Sequence, residues 1–413
     1  MRRRELLAAP GALVIAAAGE TPAPSPPNTN ADNRLDAALR PYLAQYGLPA
    51  VAAAAVRDGR LVAAGAVGTR RIDSDIPVTI NDRFHIGSDT KAMTALLAAM
   101  LVEAGKLRWD ATVGAIFPEL AATMAPGVAG ITLEQLLSHT SGISSGNPAQ
   151  DKLIEQSFAQ PGNLDELRYW IVTGLVKEPM QSKPGENFAY SNLGYTLAGA
   201  IIERLGGKTW EELIAERIFD PLGLKTAGFG PQSSLSRVDA PLGHRTLPDG
   251  RLKAMLAGPN GDNPEVIGPA GTVHLSVLDF ATWAGWQTGS GKRGPALIHP
   301  ETFAKLHAMV IEMPIKPDAA VGTPSRGRYG LGIGEITLPF SPEPFLFHGG
   351  SNEMNLAYIM MQPKYNFAMV TMTNRGGNKA DDALKSLSAA LYQEFGPATA
   401  RPSGATPAGQ QSR

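Results

Sequence analysis

The chain is expected to be α+β: an antiparallel β-sheet flanked by helices and interrupted by a large, mainly helical insertion. Three features of its 413 residues carry that expectation. Runs rich in valine and alanine at Val51–Val56 and Leu61–Val67 flank Arg57-Asp58-Gly59-Arg60, whose Asp-Gly pair marks a hairpin turn. Strand-like runs return only late, at Tyr329–Gly334, Phe345–His348, Asn355–Met361 and Phe367–Thr373. Between them the chain reads as helix and loop, without the strand–helix alternation that a doubly wound parallel sheet needs.

Ahead of the first hairpin, Asp32 to Tyr46 reads as an amphipathic helix with Leu35, Leu39 and Leu43 on one face. After it, the segment Asp82 to Gly87 ends in a glycine that lets the backbone turn sharply. The run from Ala92 to Ala104 is apolar nearly all round and stops at Gly105, as a buried central helix should. Further helices are expected at Leu133–Ser138, Asn163–Val172, Tyr195–Leu205 and Trp210–Ile218, and a last one from Asp381 to Phe395. Residues 31–87 and 325–396 are then the sheet domain and 88–324 the helical domain.

The two ends read differently. Arg2-Arg3-Arg4, an apolar stretch from Leu6 to Ala18 and small residues at its end have the layout of an export signal, with a twin-arginine flavour. Residues 1–30 are therefore expected to be that signal and a Pro-rich linker, which places the protein in a periplasm or outside the cell. Residues 397–413 are expected to be a disordered polar tail.

Composition excludes several functions. The 37 basic and 38 acidic residues nearly cancel, so neither nucleic acid nor an acidic membrane surface is indicated. No cysteine is present, which removes disulfides, thiolate metal sites and a cysteine nucleophile. The seven histidines form no His-x-x-x-His pair and no acidic cluster has ligand spacing; neither metal nor cofactor is expected.

The chemistry is carried by Ser88-Asp89-Thr90-Lys91 at the expected helix start. Residues three apart share a helix face, so the Lys91 amine can reach the Ser88 hydroxyl. A serine hydroxyl needs a base beside it, and lysine serves only where burial or a nearby charge disfavours its protonated form. Two later motifs fall in order behind it: Tyr190-Ser191-Asn192 in a loop before a helix, and His348-Gly349-Gly350-Ser351 at the end of a strand.

Taken together, Ser-x-x-Lys, Tyr-x-Asn and His-Gly-Gly closely resemble the serine β-lactamase and penicillin-binding-protein superfamily. Within it the match is to the class C branch, which includes D-Ala-D-Ala carboxypeptidases, D-amino-acid peptidases and family VIII esterases. Ile131 to Ile143, Pro269-Ala270-Gly271-Thr272 and Tyr329-Gly330-Leu331-Gly332 look typical of the same branch. The resemblance implies a β-lactamase/DD-peptidase-like fold and a small-molecule or peptide substrate. It also implies an acyl-enzyme on Ser88, with Lys91 and Tyr190 sharing the general-base role as lysine's charge favours tyrosinate. Asn192 would hold a substrate amide or carbonyl, and the N–H groups of Ser88 and Ser351 would form the oxyanion hole.

The third motif departs from the lysine, threonine or serine, and glycine that bind a carboxylate in enzymes best suited to β-lactams. His348 is only partly charged near neutral pH and Gly349 has no hydroxyl, so a neutral ester or an internal or N-terminal amide fits better. Three functions follow: an ester or amide hydrolase, a β-lactamase or penicillin-binding carboxypeptidase, or a sensor without turnover. Gly142-Ile143-Ser144-Ser145-Gly146 mimics a nucleophile elbow but lacks the preceding strand, so Ser144 is expected to be a loop serine. Gly289 to Arg293 is expected to be a surface turn, since Trp286 stands where a phosphate loop needs glycine. His85 and His139 are expected to be structural. Tyr169, Trp170, Trp283 and Trp286 are candidates for a cleft wall.

Overall fold

The computed structural model describes residues 32–397 apart from 144, 259, 260 and 324. The expected export signal and linker, the expected C-terminal tail beyond Pro397, and Ser144 therefore lie outside the described residues.

The strands in chain order are β1 (Ala50–Arg57), β2 (Arg60–Gly68), β3 (Arg83–His85), β4 (Gly228–Phe229), β5 (Gly243–Thr246), β6 (Leu252–Met255) and β7 (Val273–Ser276). There follow β8 (Ile311–Met313), β9 (Gly327–Tyr329), β10 (Gly334–Ile336), β11 (Phe345–Ser351), β12 (Leu356–Gln362) and β13 (Phe367–Thr373). The main sheet is antiparallel with the order β2-β1-β13-β12-β11-β10-β9-β8. Its opening hairpin turns on Asp58 (φ 53°) and Gly59 (φ 71°), the left-handed pair that an Asp-Gly turn favours.

Side-chain alternation splits the core in two. Ala50, Ala52, Ala54 and Val56 of β1 face the helical side, where the helix Val277–Thr288 packs. Gly285 of that helix lies so close that a Cβ there would sit 3.0 Å from Val56. Val51, Ala53 and Ala55 face the other side, which α1 (Asp36–Tyr46) and the C-terminal helix Asn378–Phe395 cover through Leu35, Leu39, Leu384 and Leu391. Alanines suit a strand that is buried on both faces by helices at close range.

On the helical side, α2 (Thr90–Glu103) is buried along nearly its whole length and is followed by Gly105 with φ +67°. It runs beneath the helix Asn192–Gly206 and carries Lys91 into the interior.

Several details differ from expectation. Tyr329–Gly334 is not one strand: β9 ends at Tyr329, β10 begins at Gly334, and the chain turns between them. Gly332 (φ +79°) makes that turn tight against α2, where a Cβ would lie 2.6 Å from the Lys91 carbonyl oxygen. Strands also occur between residues 88 and 324. There β4 and β7 join β3 in a small sheet, β5 and β6 form a hairpin, and β8 edges the main sheet. Trp210–Ile218 is a helix only to Ile214 and then widens into a π turn. Among the described residues, no helix is long and apolar enough to cross a membrane.

Candidate active site

Gly87 (φ +50°) bends the chain into a short 3₁₀ turn, Gly87–Asp89, that feeds α2 and leaves Ser88 half-buried at its head. Thr90 fixes this turn by donating from Oγ1 to the Gly87 carbonyl (2.7 Å) while accepting from Val273 N–H (3.2 Å). The structure brings Ser88, Lys91, Tyr190 and Asn192 together. Lys91 Nζ lies 3.0 Å from Ser88 Oγ, and Tyr190 donates its hydroxyl to the same oxygen at 2.6 Å. Tyr190 and Asn192 arrive on the segment that opens the helix Asn192–Gly206, where Ser191 caps the first turn by accepting from Gly194 N–H.

Lys91 is fully buried, and burial pushes its amine well below the ordinary lysine range, with Asp89 opposing the shift. Nζ also donates to Asn192 Oδ1 (2.9 Å) and to the Ala270 carbonyl (2.6 Å). Both of those oxygens only accept. In the neutral form that burial favours, the amine spends its two N–H bonds on Asn192 and Ala270 and aims its lone pair at the Ser88 hydroxyl. Burial likewise pushes the Tyr190 phenol up, so the resting group is a neutral donor and not the tyrosinate that the resemblance implies.

An aromatic wall stands behind these groups. Nζ of Lys91 lies 4.8 Å from the Tyr190 ring centre and 5.3 Å from that of Tyr195. His139 packs against Tyr190, Tyr195 and Tyr329 at 4.4, 5.1 and 4.9 Å. Its Nδ1 accepts from Ser191 N–H (3.1 Å), so it holds the Tyr-x-Asn segment in place.

The third motif runs along β11. His348 is fully buried: its Nδ1 lies 2.8 Å from the Gly349 carbonyl and its Nε2 2.9 Å from the Tyr329 hydroxyl. A carbonyl only accepts, so Nδ1 carries the proton and Nε2 accepts from Tyr329. Burial and the proximity of Lys91 push this histidine down to about 3, so it is neutral and not the partly charged group expected from sequence. Gly349 faces the opposite side of the sheet, where a Cβ would meet the Tyr358 ring at 2.8 Å. Gly350 lies against the Gly87–Asp89 turn: a Cβ would fall 1.8 Å from the Ile86 carbonyl oxygen and 2.7 Å from Ser88 N. A Cβ on Gly87 would in turn fall 2.3 Å from Ser351 N. These two glycines let the backbone nitrogens of Ser88 and Ser351 approach one another. The Ser351 hydroxyl is occupied within its own turn, donating to the Asn355 carbonyl and accepting from Glu353 N–H.

Other sequence candidates separate from this cluster. Trp283 and Trp286 are buried in the core, while Tyr169 is tied to Glu119. The element directly before Gly142 is the helix Leu133–Leu137 and not a strand. Gly289 to Arg293 is a turn after the helix Val277–Thr288. Sequence reasoning missed the role of the Ala270 carbonyl, the wall residues Tyr195 and Tyr329, and Asp262 beside His85. Only the Pro269–Thr272 and Tyr329–Gly332 segments gave any signal. Among the described residues, no group of three or more His, Asp or Glu could hold a metal ion.

A serine–lysine–tyrosine cluster at the head of a buried helix, beside an antiparallel sheet, defines a class of serine hydrolase fold. The chain belongs to the β-lactamase family, whose model matches residues 35–394. Among curated relatives, penicillin-binding protein 4 of Amycolatopsis lactamdurans is 26% identical over 80% of this chain and 82% of its own. Protein flp of Staphylococcus aureus is 22% identical over 84% of this chain, which spans 63% of that relative's length. The octameric penicillin-binding protein homologue from Pyrococcus abyssi aligns with a TM-score of 0.68 and 26% identity, over 87% of this chain and 77% of that one. A D-stereospecific amidohydrolase from Streptomyces sp. shares the fold, with a TM-score of 0.65 and 23% identity over 88% and 98% of the two chains.

Proposed function

We propose that the protein is an exported serine hydrolase of the class C β-lactamase-like type that cleaves ester or amide bonds through an acyl-enzyme on Ser88. The observation that carries this reading is the setting of Lys91, a buried amine whose two N–H bonds have carbonyl acceptors while Ser88 Oγ lies 3.0 Å away. Ser88 Oγ attacks the substrate carbonyl carbon as its proton passes to Lys91 Nζ, and the carbonyl π pair moves onto oxygen. The N–H groups of Ser88 and Ser351 stabilise that oxyanion. On collapse the carbon–leaving-group bond breaks, and the leaving group takes the Tyr190 hydroxyl proton, which Lys91 replaces. Water then attacks the acyl carbon by the same route in reverse and frees the acid.

The substrate is best read as a neutral ester or an amide. A neutral, buried His348 and a Gly349 directed at Tyr358 supply no fixed cation or hydroxyl for a carboxylate. Asn192, its Oδ1 held by Lys91, keeps its amide N–H groups for a substrate carbonyl. The name of the amidohydrolase neighbour agrees with this; that of the Amycolatopsis relative favours the second reading, a penicillin-binding carboxypeptidase or β-lactamase. Arg2-Arg3-Arg4 and the apolar stretch after them support delivery to a periplasm or the medium.

The test follows intact mass during incubation with benzylpenicillin and with 4-nitrophenyl butyrate, using Ser88→Ala as control. Ester turnover with a transient acyl adduct on the wild type alone supports the hydrolase. A lasting penicilloyl adduct with no ester turnover transfers the assignment to the penicillin-binding reading. Activity unchanged in Ser88→Ala ends both.

A further inference from the structure

The two N–H groups assigned to the oxyanion hole lie on segments far apart in sequence, Ser88 at the head of α2 and Ser351 at the end of β11. The two-glycine contact sets how near they can come but does not fasten them. A fastening exists one residue further out on each side. On the nucleophile side, Gly87 N–H donates to His85 Nδ1 at 3.0 Å. That nitrogen therefore bears a lone pair, the ring is neutral, and its proton sits on Nε2. On the strand side, Asn352 directly follows Ser351. Its Oδ1 accepts from Met354 N–H and from Asn355 Nδ2, so its amide is held in one orientation.

Both side chains end on one oxygen. Asp262 Oδ1 accepts from Asn352 Nδ2 at 2.7 Å and lies 2.9 Å from His85 Nε2. The histidine contact is close but off the axis of a linear hydrogen bond. His85 and Asn352 are buried and so is the Asp262 side chain, so these contacts are screened little by water. The loop that delivers Asp262 is tied down by Asn263, which donates to the Gly271 carbonyl at 2.7 Å. Gly271 itself packs on Gly87. The second carboxylate oxygen, Asp262 Oδ2, is buried with no hydrogen-bond partner. A half-paired buried carboxylate lowers stability, and its retention calls for an explanation other than packing.

We propose that Asp262 is a positioning residue: through His85 and Asn352 it holds the nucleophile turn and the end of β11 at the spacing that lets both backbone N–H groups reach one oxyanion. It touches neither substrate nor Ser88 and acts only through those two neighbours. The proposal rests on the acyl-enzyme reading above. Because the oxyanion exists only near the transition state, loosening the clamp lowers kcat and leaves ground-state binding nearly as it was.

The test compares wild type, Asp262→Ala and Asp262→Asn on 4-nitrophenyl acetate and on its thionoester counterpart, whose sulfur accepts hydrogen bonds poorly. Fluorophosphonate titration of Ser88 counts competent sites, so misfolded protein does not enter the rate. Per competent site, Asp262→Ala should lose about 10-fold or more in kcat, a fraction of what outright loss of an oxyanion donor costs, with KM moving by less than about 3-fold. Its preference for ester over thionoester should shrink by a similar factor. Asp262→Asn, whose Oδ1 still accepts from Asn352 and stays beside His85 Nε2, should recover most of the rate and of that preference. An unchanged kcat, an unchanged ester-to-thionoester ratio, or a defect that lies in KM alone overturns the clamp while leaving Ser88 chemistry standing. Wild-type protein without Ser88-dependent turnover overturns both.

Discussion

The amine of Lys91 lies 2.6 Å from the backbone carbonyl of Ala270, 179 positions further along the chain. With Asn192 Oδ1 as the second acceptor, this carbonyl decides which way the lysine lone pair points. An unperturbed lysine would be protonated until near pH 10, whereas burial lowers this one well below that. Turnover of a neutral ester is therefore expected to fall on the acid side as Lys91 protonates, at a pH well below the ordinary lysine range. A profile of kcat/KM against pH checks this; a rise deferred to pH 9–10 would contradict it.

Lys91 and Tyr190 meet on one oxygen and should behave as a unit. Lys91→Ala and Tyr190→Phe are each expected to lower kcat by about 10³-fold, and the double variant should be scarcely worse than either. Additive losses in single-turnover acylation would separate their roles.

Gly350→Ala should be poorly tolerated. Its Cβ would enter the space of the Ile86 carbonyl oxygen, which belongs to backbone and cannot swing aside. The strand must shift instead, and a loss of about 3 kcal/mol in denaturant unfolding is expected, together with loss of turnover.

Acid should unfold the protein through its neutral histidines. Burial holds His348 at about 3 and both His274 and His307 at about 4, all below the unfolded value near 6.5. Groups depressed in this way contribute stability that is complete above pH 6.5 and is lost as pH falls through 6.5 toward 3–4. The thermal midpoint should fall steadily over that window, and His307→Gln, remote from Ser88, should flatten part of the slope. Midpoints that stay level from pH 7 to 4 would refute the assignment.

Asp89 acts in the opposite sense. Its carboxyl is buried with no hydrogen-bond partner on either oxygen, and burial pushes it well above the usual carboxylate range. Its stabilising protonated form is complete below the unfolded value near 3.9 and is lost as pH rises through the folded value. Asp89→Leu should accordingly gain about 1–3 kcal/mol at pH 8 and little at pH 4, read from urea midpoints.

Much of this was legible in the sequence, and the exceptions have physical causes. Ser88 and Lys91 share a helix face at any fixed spacing of three, and Asp58-Gly59 needs no distant partner to form its turn, so local rules sufficed for both. The break between β9 and β10 escaped because apolar residues around Gly330 and Gly332 read as strand, whereas the glycines serve a turn pressed against α2. Strands of two to four residues such as β4 and β7 carry too little periodicity to register. The protonation state of His348 depends on burial beneath Tyr329, which no motif encodes. The Ala270 carbonyl is a backbone group and leaves no mark on the residue type at all.

The pairing of β1 with β13 sets a condition on synthesis. Thr373 Oγ1 closes on the Ala50 carbonyl across 323 residues, and β1 cannot find its inner neighbour until β13 has emerged. Until then its Val- and Ala-rich edge stays open, the kind of surface that recruits other nascent chains. This pairing is one of high contact order, and a chain truncated before Phe367 would keep that edge exposed for good.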